Sequence, residues 1–129
     1  MAETRESPFR PWVATLADVA VLVVFVVVGR RSHNEDAGVA GFVRVWWPFA
    51  VALLVAWTVT GLWRAPLAWS RAVVAWLVTV GLGMGLRIAI EGREFKLAFA
   101  IVTLVFVGAG MLGWRAVVRG RRARVVARA

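Results

Sequence analysis

The sequence predicts an all-α fold: a four-helix transmembrane bundle with short loops and no extramembrane domain. The chain has 129 residues, of which 61% are hydrophobic and 18% are charged. A soluble chain of this length has too little interior to bury so many apolar side chains. The apolar residues instead fall into four segments, each close to the ~20 residues that cross a bilayer. These observations exclude a soluble enzyme and a disordered tail, and we expect no nucleic-acid partner.

The four segments are predicted to be helices. Lipid supplies no partner for backbone N–H and C=O groups, so a spanning segment must satisfy them internally. Barrel strands would alternate polar and apolar residues, and these segments do not. The predicted organisation is a cytoplasmic N-terminal segment at 1–11, a transmembrane domain at 12–118 with spans at about 12–29, 45–63, 72–90 and 97–118, and a basic C-terminal tail at 119–129.

The basic residues are unequally divided between the two sides of the predicted membrane. Four spans place both termini on one side, which then carries ten of the 16 basic residues. These ten are Arg5, Arg10, Arg64, Arg71, Arg115, Arg119, Arg121, Arg122, Arg124 and Arg128. The positive-inside rule therefore predicts a multi-pass plasma-membrane protein with both termini in the cytoplasm. The arginine-rich tail is expected to attract anionic lipid.

Asp18 is the acidic residue placed deepest in a predicted span. It follows Trp12 by six residues, which puts it about 9 Å inside the first span. An acidic residue within the membrane costs up to roughly 2.5–3.5 kcal/mol, so Asp18 should face protein and not lipid. Counting back from the end of the antiparallel second span places Trp57 at the same depth, with Thr58 beside it as a further hydrogen-bond donor.

Two interpretations of Asp18 are open from the sequence. It could be a proton- or cation-binding carboxylate in a transport path. Alternatively, it could be a polar clamp between helices. The clamp is favoured, because a transport path would need a second relay group that the sequence does not offer.

Arg87, Arg30 and His33 are predicted to lie together on the opposite side of the membrane. Such a cluster could bind an anion or a lipid headgroup, or its arginines could simply extend to the interface. One histidine and no cysteine leave too few ligands for haem or zinc, so we expect no metal and no cofactor.

Glycines in the last two spans predict close helix packing. Gly81 and Gly85 have the four-residue spacing that lets helix backbones approach each other. Gly110 and Gly113 repeat small residues on neighbouring turns of the fourth span. We expect these four glycines to serve packing within the chain or between copies of it.

Four short runs carry a resemblance to a known family: ADVAVLVVFVVVGRRSH, WWPF with Trp57 downstream, GLGMGLR and a closing GW. They resemble a family of small four-span membrane proteins, classed as a domain of unknown function and found mostly in actinobacteria and haloarchaea. The likeness covers roughly residues 12–115. The family's marked positions match Asp18, Phe25, Gly29, Arg30, His33, Pro48, Phe49 and Arg87. The resemblance implies a four-helix membrane fold, with no established activity, substrate or cofactor.

The sequence favours a non-enzymatic accessory, assembly or lipid-organising membrane protein. The alternative is a small oligomeric transporter or channel, proton-coupled through Asp18. An enzyme is not expected. None of Ser7, Ser32 and Ser70 lies deep in a predicted span, so no buried pair of nucleophile and base can form. The expected partners are the bilayer itself, anionic lipid at the tail, and a second copy or a larger membrane complex.

Overall fold

The computed structural model describes residues 9–32, 38–92 and 94–128. Within these ranges the chain forms four α-helices and no strand. They are α1 (Pro11–Ser32), α2 (Val39–Thr60), α3 (Trp69–Glu91) and α4 (Leu97–Arg128). Each helix is long and apolar enough to cross a membrane. The predicted all-α, four-helix transmembrane fold is thus confirmed.

The ends of α2 differ from the predicted span at about 45–63. The helix begins at Val39 and ends at Thr60, because Gly61 adopts a left-handed conformation (φ 64°) and turns the chain. Pro48 therefore lies well inside α2 and not in its first turn. The helix thus begins before the predicted span and ends three residues short of it.

The predicted basic tail is helical over most of its length. α4 runs without interruption to Arg128, although its apolar stretch was predicted to end near residue 118. Arginine and alanine are good helix formers, so the helix continues after the apolar residues stop. This extension of α4, from Arg119 to Arg128, carries five arginines and no acidic residue.

The four helices pack in a ring. α1 contacts α2, α2 contacts α3, α3 contacts α4, and α4 returns to α1, while no Cα atoms of the diagonal pairs of described helices lie within 8 Å of each other. The α2–α3 pair has the most extensive contact and is joined by the short connection at 61–68. We call the end at which α1 begins and α4 ends the terminal end, and the opposite end the loop end. The first and last helices are therefore neighbours.

An aromatic cluster fills the centre of the ring. Phe25 of α1 lies 5.7 Å from Phe49 of α2, 6.1 Å from Phe99 and 5.6 Å from Phe106 of α4, measured between ring centroids. Phe49 is fully buried. These edge-on and tilted contacts join three of the four helices through side-chain packing.

Three glycines in α3 and α4 lie close to side chains of neighbouring helices. Gly110 lies against Val21, Gly83 against the Phe49 ring, and Gly108 against the Trp76 indole. At Gly81, Gly85 and Gly113, in contrast, an added Cβ would meet nothing within 4 Å. Of the four glycines predicted for packing, Gly110 alone has a close neighbour among the described residues.

Candidate functional site

Asp18 lies in the core of the terminal end, with none of its surface exposed. Its carboxylate faces Arg115 of α4, whose side chain is also completely buried. Arg115 Nη1 donates to Oδ1 at 2.8 Å and Nη2 donates to Oδ2 at 2.7 Å. This two-pronged geometry is the strong form of an arginine–carboxylate pair. It connects the first helix directly to the last.

Two tryptophans complete the shell of the carboxylate. Trp57 Nε1 of α2 donates to Asp18 Oδ2 at 3.0 Å, and Trp114 Nε1 of α4 donates to Oδ1 at 2.9 Å. Each oxygen of Asp18 thus accepts two hydrogen bonds from protein donors. We call Asp18, Trp57, Trp114 and Arg115 the Asp18 clamp.

Arg115 also holds the connection between α2 and α3. Its Nε donates to the carbonyl oxygen of Pro66 at 2.8 Å, and its Nη1 donates to the carbonyl oxygen of Met111 at 2.9 Å. Its guanidinium carbon lies 4.4 Å from the centroid of the Trp114 ring. One arginine therefore ties α1, α4 and the 61–68 connection together.

The electrostatics of the clamp explain why both charges can be buried. Either charge alone would be costly in a low-dielectric interior. Opposite charges at 2.7 Å neutralise each other, and the added indole and carbonyl partners satisfy the remaining hydrogen-bonding capacity. Removing one partner would leave the other charge uncompensated, which makes the pair interdependent. This arrangement fixes the positions of α1, α2 and α4 relative to one another.

The pairing of Arg115 with Asp18 was not predicted from the sequence. Arg115 was expected among the basic residues of the terminal side, although it precedes the predicted end of the fourth span at residue 118. The available signal was a basic residue inside a span on the same side of the membrane as Asp18. Because the residues that precede Arg115 in the span are apolar on every face, the sequence did not indicate which way its side chain points.

The other predicted site residues within the described ranges have contacts outside the Asp18 clamp. Thr58 is exposed and donates to its own helix at Leu54 O, 2.9 Å away, and not to Asp18. Arg87 lies with its guanidinium carbon 4.2 Å from the centroid of the Phe99 ring. Arg30 packs its guanidinium on Gly41. His33 lies outside the described residues.

An open groove of about 610 Å³ borders the clamp at the terminal end. Three parts of the chain form it: the residues preceding α1, the 61–68 connection and the extension of α4. Its characteristic side chains are Phe9, Trp63, Arg64, Leu67, Arg119 and Arg122. Pro66, which accepts the bond from Arg115, also lines it. We call this feature the terminal groove.

The terminal groove combines aromatic surface with positive charge. The guanidinium carbon of Arg64 lies 4.6 Å from the Trp63 ring, and that of Arg122 lies 5.4 Å from the Phe9 ring. Arg119 Nη1 donates to Leu67 O at 3.2 Å. None of the described residues that line the groove is acidic. Within the described ranges, no group of three or more His, Cys, Asp or Glu side chains is placed to hold a metal ion.

Comparison with known proteins places the chain in a family. Residues 15–118 match the family described as a protein of unknown function, DUF3054. The match covers most of the 129 residues, so the chain belongs to this family. No curated protein and no solved structure matches the chain.

Proposed function

We propose that this member of the DUF3054 family is a non-enzymatic accessory protein of the plasma membrane that organises anionic lipid around its bundle. The observation that carries the proposal is the saturation of Asp18 by four protein donors. A carboxylate held in this way offers no vacant position to a transported proton or ligand. Asp18 therefore stabilises the bundle, and it is the surface of the bundle that interacts with lipid.

The charge of the α4 extension supports an interaction with lipid. Five arginines follow the clamp along this helix: Arg119, Arg121, Arg122, Arg124 and Arg128. With the termini in the cytoplasm, they lie beside the anionic leaflet. Each is attracted to that surface by about 1 kcal/mol. The bundle thereby gathers anionic lipid at one face.

The buried hydroxyl groups support the absence of catalysis. Thr79 donates to Ala75 O at 2.7 Å, and Thr103 donates to Phe99 O at 2.6 Å. Both hydroxyls are thus engaged with their own helix and are not activated by a neighbouring base, as a nucleophile would require.

The proposal is tested by lipid demixing in reconstituted vesicles. The full chain is inserted into vesicles of phosphatidylglycerol and phosphatidylcholine that contain a trace of headgroup-labelled phosphatidylglycerol. We expect self-quenching of the label to rise with protein density. Labelled phosphatidylcholine, as the matched control, should not respond. Equal behaviour of the two labels would overturn the proposal.

A flux measurement in the same vesicles tests the transport alternative. The parent and the double variant D18L/R115M, which removes both charges and keeps an apolar fill, are compared with a trapped pH-sensitive dye. We expect neither protein to dissipate a pH gradient. Dissipation by the parent and not by a folded double variant would assign Asp18 to transport instead.

A further inference from the structure

We propose that the terminal groove is a binding site for the phosphate-bearing headgroup of an anionic phospholipid. This inference rests on the proposed function and sharpens it from general attraction to one site. The groove brings Arg64 of the 61–68 connection together with Arg119 and Arg122 of the α4 extension. These arginines are far apart in the sequence and converge only in the fold.

The described lining of the groove carries basic side chains and no acidic one. Arg115, which bonds Pro66 at the groove, is already paired with Asp18 and adds no net charge. Arg64 and Arg119 face no carboxylate among the described lining residues. A phosphate group is the ligand whose charge and geometry match several guanidinium groups at once.

The arginines are also positioned in advance. Arg64 stacks on Trp63, Arg122 lies over Phe9, and Arg119 is held by Leu67 O. A guanidinium that stacks through its face still presents N–H donors at its edge. Preorganised donors lose less conformational freedom when they bind, so the site favours a bound phosphate over a diffuse ion cloud.

The depth of the groove favours a lipid as the source of that phosphate. Trp63 is 49% exposed, and Trp12 and Trp69 at the same end are 58% and 44% exposed. Exposed indoles of this kind lie at the level of the headgroups. Phe9 and Leu67 add apolar wall to the groove, which suits the glycerol and the first acyl carbons of a lipid. A free phosphate would use the arginines and leave this wall unused.

Native mass spectrometry of the full chain in detergent, titrated with phosphatidylglycerol or phosphatidylcholine, tests the site. The groove variant is R64Q/R119Q. The matched control is R124Q/R128Q, which also removes two positive charges, both from the part of the α4 extension that does not line the groove. Losing charge-assisted hydrogen bonds should weaken phosphatidylglycerol binding by the groove variant about tenfold or more. The control should bind like the parent, and circular dichroism should show equal helicity in all three proteins.

The outcomes separate the two proposals. Equal weakening in both double variants would overturn the groove as a site, while general lipid attraction would stand. A parent protein with no preference for phosphatidylglycerol, together with no demixing in vesicles, would overturn both. Retention of inorganic phosphate that displaces phosphatidylglycerol and depends on Arg64 and Arg119 would assign the groove to free phosphate and overturn the lipid.

Discussion

The two ends of the bundle use the same kinds of side chain in opposite surroundings. At the loop end, Trp47 Nε1 donates to Glu91 Oε1 at 2.7 Å, and Arg44 lies 4.0 Å from the same carboxylate with 62% of its side chain exposed. At the terminal end, Asp18 and Arg115 meet at 2.7 Å with no exposure, surrounded by two indoles. An arginine, a carboxylate and tryptophan therefore occur at both ends.

The difference shows that burial, and not residue type, decides what such a group contributes. An exposed pair typically stabilises by about 0–1 kcal/mol, because water competes for both charges. Breaking a buried pair by removing one partner typically costs about 3–5 kcal/mol, because an uncompensated charge remains. Interdependent buried charges therefore stabilise the terminal end, whereas side-chain packing stabilises the other parts of the bundle.

The largest effect is expected from breaking the buried pair on one side only. Asp18→Leu or Arg115→Met should lower the free energy of unfolding by about 3–5 kcal/mol, because each leaves one buried charge alone. The double variant D18L/R115M should recover most of that loss. Unfolding by SDS titration in mixed micelles measures all three. If the double variant is no more stable than the less stable of the two single variants, Asp18 and Arg115 are not interdependent.

A smaller effect is expected from the shell of the clamp. Trp57→Phe keeps an aromatic ring and removes the N–H that donates to Asp18 Oδ2. Loss of a hydrogen bond to a charged group should cost about 1.5–3 kcal/mol in the same titration. Trp63→Phe is the control, because Trp63 is 49% exposed. If both variants lose the same free energy of unfolding, the indole N–H of Trp57 does not contribute to the clamp.

The contribution of packing is tested at Gly83. Gly83→Ala places a methyl group against the Phe49 ring and should destabilise by about 1–3 kcal/mol. Gly81→Ala in the same helix meets open space and should leave the thermal unfolding temperature unchanged. If Gly81→Ala is the more damaging, a partner outside the chain covers that face.

The smallest effect is expected at the exposed pair of the loop end. Arg44→Gln should change the free energy of unfolding by about 0–1 kcal/mol, because the arginine is mostly exposed and its contact with Glu91 is long. Adding salt should have the same small effect on the parent. A loss as large as that of Arg115→Met would erase the contrast between the two ends.

The helices could be predicted from the sequence because lipid imposes a length and an apolar composition on each span. The same apolar composition gives no indication of which face of each helix points to the core. Residues that face lipid and residues that face the core are both apolar, so no periodic pattern indicates the orientation of α1 or α4. Gly83 and Gly81 look equivalent in the sequence for the same reason.

The clamp could be predicted only in part. Depth along antiparallel spans placed Trp57 level with Asp18, and Trp57 donates to it in the structure. The pairing with Arg115 depends on α1 and α4 being neighbours in the ring, which loop lengths do not reveal. The terminal groove forms only because the α4 extension is helical. The composition of that stretch predicted a basic tail, so the groove could not be predicted.

The position of the clamp partners in the chain has a consequence for biosynthesis. Asp18 and Arg115 are 97 residues apart. Chains are made from the N-terminus, so the first helix enters the bilayer long before its counterion has been translated. Throughout that interval the carboxylate lacks Arg115 as its partner. Insertion of α4 supplies the counterion, so assembly of the ring is completed only after α4 has been synthesised.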